Sequence, residues 1–132
     1  AEEIIKPYRL VIDGTDNFET RYLLNRVCAR RGATLVSAAM SSWEGQLSVF
    51  KPWEGGPCYQ CVFPEPPAEG MVQTCAAGGV LGPMAGVMGA MLAAEAVRIM
   101  EENRISVLVV CDEDEHPIGA IHMHGLLASG VI

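Results

Sequence analysis

Asp13 and Asp16 are separated only by Gly14 and Thr15, and Asn17 follows at once. Two carboxylates that close can hold a divalent cation beside a phosphate, because Mg²⁺ favours hard oxygen ligands. The same residue types also build an Asx-turn and cap a helix, and the spacing alone leaves both readings open. A second constellation is Cys58-Tyr59-Gln60-Cys61, a CxxC. One such pair is half of a tetrahedral zinc site. Cys111, His116, His122 and His124 have the side-chain types to complete it, but none repeats the CxxC spacing. A redox dithiol and a simple pair of reduced thiols in a turn are the alternatives. A redox CxxC ordinarily opens a helix after a strand, and Pro57 and Phe63-Pro64 do not supply that context. Cys75 stands just ahead of a predicted long helix, where the helix dipole favours a thiolate; packing at the helix start is the plainer role. Cys28 falls on an apolar helix face and reads as core. Arg26, Arg30 and Arg31 form a basic cluster that can meet an anion or simply face solvent.

The elements that must position these residues follow from pattern. Residues 8–13 are an apolar run that predicts a buried strand, which places Asp13 and Asp16 at its C-terminal end. In open parallel sheets, ligands bind outside that end. Asn17 or Thr20 caps a helix predicted over 21–31, with Leu23, Leu24, Val27 and Cys28 at helical spacing. Gly32 ends it, after basic residues in the last turn. Residues 34–39 predict a second buried strand, which gives a βαβ unit. Residues 46–50 predict a third strand, 51–56 a turn and 63–74 a loop rich in proline. A long helix is predicted over 81–100, with Pro83 in its first turn. Gly82, Gly86 and Gly89 cost that helix about 1 kcal/mol each against alanine, so a close approach by another element is expected to offset them. Strands over 106–110 and 117–123 predict a β-hairpin with a turn longer than two residues, and 126–132 a short helix or fraying tail.

The composition narrows the function classes. A chain of 132 residues, half of them hydrophobic, fits one ordinary domain and excludes a disordered one. A net charge of −7 gives no general attraction to nucleic acid or an anionic membrane. No signal peptide pattern is present, and the weakly polar stretch 78–94 contains too many small residues to favour a membrane span over a buried helix. Five cysteines, an odd number, do not form a secreted disulfide framework, so a reducing cytoplasmic setting is expected.

The segments DGTDNFETRYLLN, EGQLSVF, GGPCYQCVFPEPP and CAAGGVLGPMAGVMGAMLAAEAVRI, in that order and with those gaps, resemble the second half of the ubiquitin-activating superfamily. Within it the chain resembles the adenylyltransferases of molybdopterin and thiamine biosynthesis, over about residues 1–100. The resemblance implies a partial Rossmann-like α/β fold with a parallel sheet. It implies ATP-dependent adenylation of the C-terminal Gly-Gly of a ubiquitin-like sulfur carrier. It places Asp16 in the Mg-ATP site with Asp13 beside it, and has Asn17 and Arg21 shape the rim. It gives Cys75 a part in thiol transfer or attachment to the carrier, and it gives Cys58 and Cys61 a share in a structural zinc site. The Gly-rich phosphate turn of such folds, with its basic partners, lies ahead of the DGTD segment and is not among the twelve residues preceding Asp13. The chain is therefore expected to hold part of a catalytic site, and to self-associate or meet a complementary fragment across its exposed sheet.

Residues 93–132 carry a different likeness. The helix end MEENRI, the strand SVLVV, an acidic turn, the return PIGAIHMHGLL and a closing helix resemble the last half of a CBS domain. The two likenesses share the helix at 93–100. The CBS resemblance implies adenosyl-ligand binding, with Ser106 and His124 as pocket residues, but Gly125 stands where such domains usually carry an aspartate. A non-catalytic chimera, natural or engineered, and a CBS-like ligand-binding module are thus the alternatives to an adenylyltransferase part.

Overall fold

The computed structural model describes residues 2–68, 70–72, 78–104, 106–111 and 117–122. The chain divides into two compact units, 1–92 and 93–132, and each is described by itself.

The first unit is a small sheet with helices. A short helix α1 (Glu2–Ile5) leads into strand β1 (Leu10–Asp13), helix α2 (Phe18–Arg31), strand β2 (Thr34–Met40) and strand β3 (Gly45–Phe50). A 3₁₀ turn (Pro52–Glu54) and a one-turn helix α3 (Tyr59–Val62) follow. Helix α2 starts three residues earlier than its apolar pattern suggested, because Asn17 caps it. The Asn17 side-chain oxygen accepts the Thr20 N–H at 2.8 Å. Gly32 ends the helix at φ 65°, a left-handed conformation that glycine adopts without strain.

The sheet order is β1-β2-β3, and it is mixed rather than wholly parallel. β1 and β2 run parallel, from Leu10 opposite Thr34 to Asp13 opposite Ser37. β3 returns antiparallel, from Leu35 opposite Phe50 to Met40 opposite Gly45. The reason lies in the connection. Residues 41–44 close a tight turn through Ser41 N–H to the Glu44 carbonyl at 2.8 Å, whereas a parallel return needs a crossover of a dozen or more residues.

The core of this unit gathers Ile5, Tyr22, Val27, Cys28, Ala33, Leu35, Phe50 and Tyr59. The buried side of α2 is Arg21, Tyr22, Asn25, Val27 and Cys28. Leu23, expected on the apolar face, is exposed instead, and two polar residues occupy the inside. That inversion is the first sign of a built site.

Helix α4 (Gly82–Glu102) runs through the boundary between the units. Its length and apolarity would suffice to cross a membrane by composition alone. Among the described residues no other element makes the close approach expected at its glycines: beyond the helix's own backbone, nothing lies within 4 Å of where a Cβ would stand on Gly82, Gly86 or Gly89. The tight spot is on the sheet. A Cβ at Gly45 would collide with the Met88 thioether, so glycine at the start of β3 is what lets α4 settle there. In the second unit, Ala96, Ile99 and Met100 are buried, and Arg98 pairs with Glu95 and Glu102 on the surface. Strands β4 (Val107–Cys111) and β5 (Pro117–His122) form the expected antiparallel hairpin, irregular at Val110/Cys111. The turn 112–116, with His116, and the tail 123–132, with His124, lie outside the described residues.

Candidate functional site

At the C-terminal end of β1, Asp13 is almost wholly buried, at 1 % exposure. Every oxygen of its carboxylate is used. Oδ1 accepts the Thr15 N–H at 3.0 Å and the Thr15 hydroxyl at 2.6 Å. Oδ2 accepts Arg21 Nε at 3.0 Å and the Ser37 hydroxyl at 2.9 Å. Arg21 is held by the same turn. Its Nη2 donates to the Thr15 carbonyl at 2.5 Å and the Ala38 carbonyl at 3.4 Å. The guanidinium also lies 5.9 Å from the ring centroids of both Phe18 and Tyr59. Burying two charges is costly, and it is tolerated here because the pair is direct and is backed by hydrogen bonds from Thr15 and Ser37 to the carboxylate and from Arg21 Nη2 to two carbonyls. Among the described residues no buried side-chain polar atom lacks a partner.

This closed cluster holds the turn that carries Asp16. Thr15 is gripped three times: at its N–H and hydroxyl by Asp13, and at its carbonyl by Arg21. Asp16 comes next and is exposed. Its carboxylate makes no hydrogen bond or ion pair to the described residues. Asn17 is spent on the α2 cap. One of the two aspartates is thus inside the wall and the other stands on its face.

One turn along α2 from Arg21, Asn25 reaches the cysteine turn. Cys58 is the cap residue of α3, and its Sγ lies 3.5 Å from Cys61 Sγ, well beyond the about 2.05 Å of a disulfide. Asn25 Nδ2 donates to Cys58 Sγ at 3.6 Å, and Asn25 Oδ1 accepts the Tyr59 N–H at 2.9 Å. Burial pushes the Cys58 thiol up. Hydrogen bonds from the Asn25 amide, from Cys61 and from the Gln60 backbone together outweigh that effect, so Cys58 titrates below its ordinary value. Tyr59 joins the two places. Its ring packs edge-on against Tyr22 and Phe50 and tilted against Phe63, and the Tyr22 hydroxyl donates to the Phe63 carbonyl at 2.8 Å. Cys28, in contrast, is a core thiol pushed up to about 12 by burial and then by the charge of Asp13.

A description of the ThiF family matches residues 1–122. The chain belongs to the ThiF family. Among curated relatives, it is 46 % identical over 108 residues to an adenylyltransferase and sulfurtransferase MOCS3 from Dictyostelium discoideum, covering 82 % of this chain and 25 % of that protein. It is 45 % identical over 104 residues to the sulfur carrier protein adenylyltransferase of Thermus thermophilus, covering 76 % and 38 %. It is 41 % identical over 128 residues to the MOCS3 protein of Xenopus laevis, covering 95 % and 28 %. The chain therefore spans between a quarter and two fifths of the length of these three relatives.

Within this ThiF chain, the donor sets can be tested against the groups that the family resemblance implied. For Mg²⁺, Asp13 offers no unused oxygen, but Asp16 fits as a single carboxylate of the kind that holds a nucleotide-bound Mg²⁺ together with phosphate oxygens. For zinc, two sulfurs bound at about 2.3 Å in a tetrahedron stand about 3.8 Å apart, close to the spacing seen. The pair fits half a site. Among the described residues no cluster of three or more His, Cys, Asp or Glu side chains gathers for a metal. Cys75 lies outside the described residues. Sequence reasoning missed Thr15, Ser37 and Asn25. Ser37 carried no local signal, since its tie to Asp13 is across the sheet. Asn25 did carry one: it stands four residues after Arg21, on the same helix face.

Proposed function

We propose that this chain forms the metal-side wall of an ATP-dependent adenylyltransferase site that activates the C-terminal glycine of a ubiquitin-like sulfur carrier. The observation that carries this reading is the open Asp16 carboxylate on a turn fixed from behind by Asp13 and Arg21. The names of the relatives support the carrier as substrate.

In the proposed reaction, the carrier's terminal carboxylate attacks the α-phosphorus of ATP. A carboxyl–phosphate bond forms, the bond from the α-phosphorus to the bridging oxygen breaks, and pyrophosphate leaves with the electron pair. Two anions must meet, so the site needs positive charge that is fixed beforehand. Asp16 would hold Mg²⁺, which would supply part of that charge when bound. Arg21 is tied to Asp13, so the phosphate-binding cations and the Gly-rich turn of the proposed site lie outside these 132 residues. Asp13, Arg21 and Asn17 serve the site by holding its rim. Cys75 is the thiol we assign to sulfur or carrier transfer, Cys58 and Cys61 hold a structural zinc, and the setting is the cytoplasm.

ATP–pyrophosphate exchange with a carrier peptide ending in Gly-Gly tests this. The chain alone is expected to be inactive. Mixed with a complementary Gly-rich half it is expected to exchange, and Asp16→Asn to abolish the exchange. Exchange undiminished by Asp16→Asn, or none with the complementing half, overturns the reading.

The CBS-like reading of 93–132 has one observation in its favour, the order of helix and antiparallel hairpin. The family match runs through that same hairpin to residue 122, which favours the ThiF reading there and leaves little reason for a chimera. Adenosine binding lost on His124→Ala would support the CBS-like module instead.

A further inference from the structure

We propose that Asn25 is the positioning residue of the Cys58–Cys61 pair, holding the two sulfurs at the spacing a thiophilic cation requires. The proposal rests on reading that pair as half of a metal site. Asn25 belongs to α2 and is 33 residues from Cys58 along the chain. It is buried, and its amide spends both ends on one turn: Nδ2 on Cys58 Sγ and Oδ1 on the Tyr59 N–H.

Two hydrogen bonds from one planar group to adjacent residues fix the turn in place and in rotation. The second cysteine follows the first, because Cys61 N–H donates to the Cys58 carbonyl at 3.1 Å. The Tyr59 ring, seated among Tyr22, Phe50 and Phe63, keeps the turn from sliding along α2. Cys61 is exposed, so a cation can reach the pair from solvent. An N–H aimed at a ligand sulfur orients it as outer-shell partners do in metal sites, where their loss costs about 10- to 100-fold in affinity. No other residue type of this size serves both contacts. Aspartate has no N–H for the sulfur, and leucine would leave the Tyr59 N–H unpaired in the interior.

The test is a Cd²⁺ titration of the full chain, ¹⁵N-labelled and followed by NMR, beside the same titration of Asn25→Ala at a temperature where unfolding curves show both folded. In the wild-type chain the Asn25 side-chain amide is expected to shift as Cd²⁺ binds, while those of Asn17 and Asn103 stay in place. Asn25→Ala is expected to bind Cd²⁺ about 10- to 100-fold more weakly. If that variant does not fold, the wild-type shift decides alone. Cd²⁺ that does not bind the wild-type chain sinks the metal reading and this proposal together. Cd²⁺ that binds but leaves the Asn25 amide unmoved, or that binds Asn25→Ala as tightly, sinks the proposal alone.

Discussion

At the end of β1 the polar groups close on one another; at the cysteine turn they are left open on one side. Both places hang from the same face of α2, through Arg21 and Asn25 four residues apart. At the strand end, Arg21, Thr15 and Ser37 fill both oxygens of the Asp13 carboxylate, while the Asp16 side chain two residues on from Gly14 is exposed. At the turn, one amide supports Cys58 from behind while Cys61 faces water. The difference shows which residues can act. A charged side chain whose partners are all protein holds the turn, and the side chain beside it is the one left open to solvent.

The largest expected effect comes from breaking the closed side. Arg21→Met keeps the volume but strands Asp13 in the interior, and removing one partner of a buried ion pair typically costs about 3–5 kcal/mol. Urea unfolding of the variant against wild type measures this. A loss below about 1 kcal/mol would mean that water already reaches Asp13, and the contrast between the two regions would fail.

Much of this was legible from residue pattern alone. The βαβ order, the end of α2 at Gly32, the β4-β5 hairpin and the place of the DGTD turn at a strand end all follow from local chemistry. The commitment of each aspartate was not legible. Asp13 and Asp16 look alike in sequence, and what separates them is Ser37 and Arg21, brought in by the sheet and the helix. On α2 the apolar pattern holds for Val27 and Cys28, which are buried, and fails at Leu23. Leu23 invited burial, but the inside was taken by Arg21 and Asn25, whose buried partners no apolar period reveals. Among the described residues the position that needs glycine is Gly45, because of Met88 far along the chain, and no local pattern reveals it.

The thiols sharpen the comparison through pH. Cys28 keeps its proton in the fold up to about 12, while an unfolded chain releases it near 9.0. Between those values the unfolded state binds fewer protons, so stability is whole below about pH 9 and declines as pH rises, by about 1.4 kcal/mol per pH unit at most. Cys58 is shifted the other way. Its contribution is present above the unfolded pKa and is lost as pH falls through the folded one. Urea midpoints at pH 8 and pH 10 are expected to fall with pH in the wild-type chain, and Cys28→Ala to flatten that fall. An unchanged slope in Cys28→Ala would place Cys28 in contact with water and erase the distinction between the core thiol and the turn thiols.

The smallest expected effect on stability tests the front of the wall. Asp16 makes no side-chain hydrogen bond to the described residues, and surface substitutions away from caps and buried partners usually change stability by less than about 0.5 kcal/mol. Asp16→Asn is therefore expected to unfold at the wild-type urea midpoint. Its neighbour on one side caps α2 and its neighbour on the other is clamped by Asp13 and Arg21, so the turn keeps its course without the charge. If Asp16→Asn costs more than about 1 kcal/mol, Asp16 belongs to the holding network, and the division between the aspartate that holds and the aspartate that acts is wrong. If it costs nothing while pyrophosphate exchange with the complementing half disappears, the carboxylate is there for the ligand, because a charge the fold does not need is then shown to be one the reaction does.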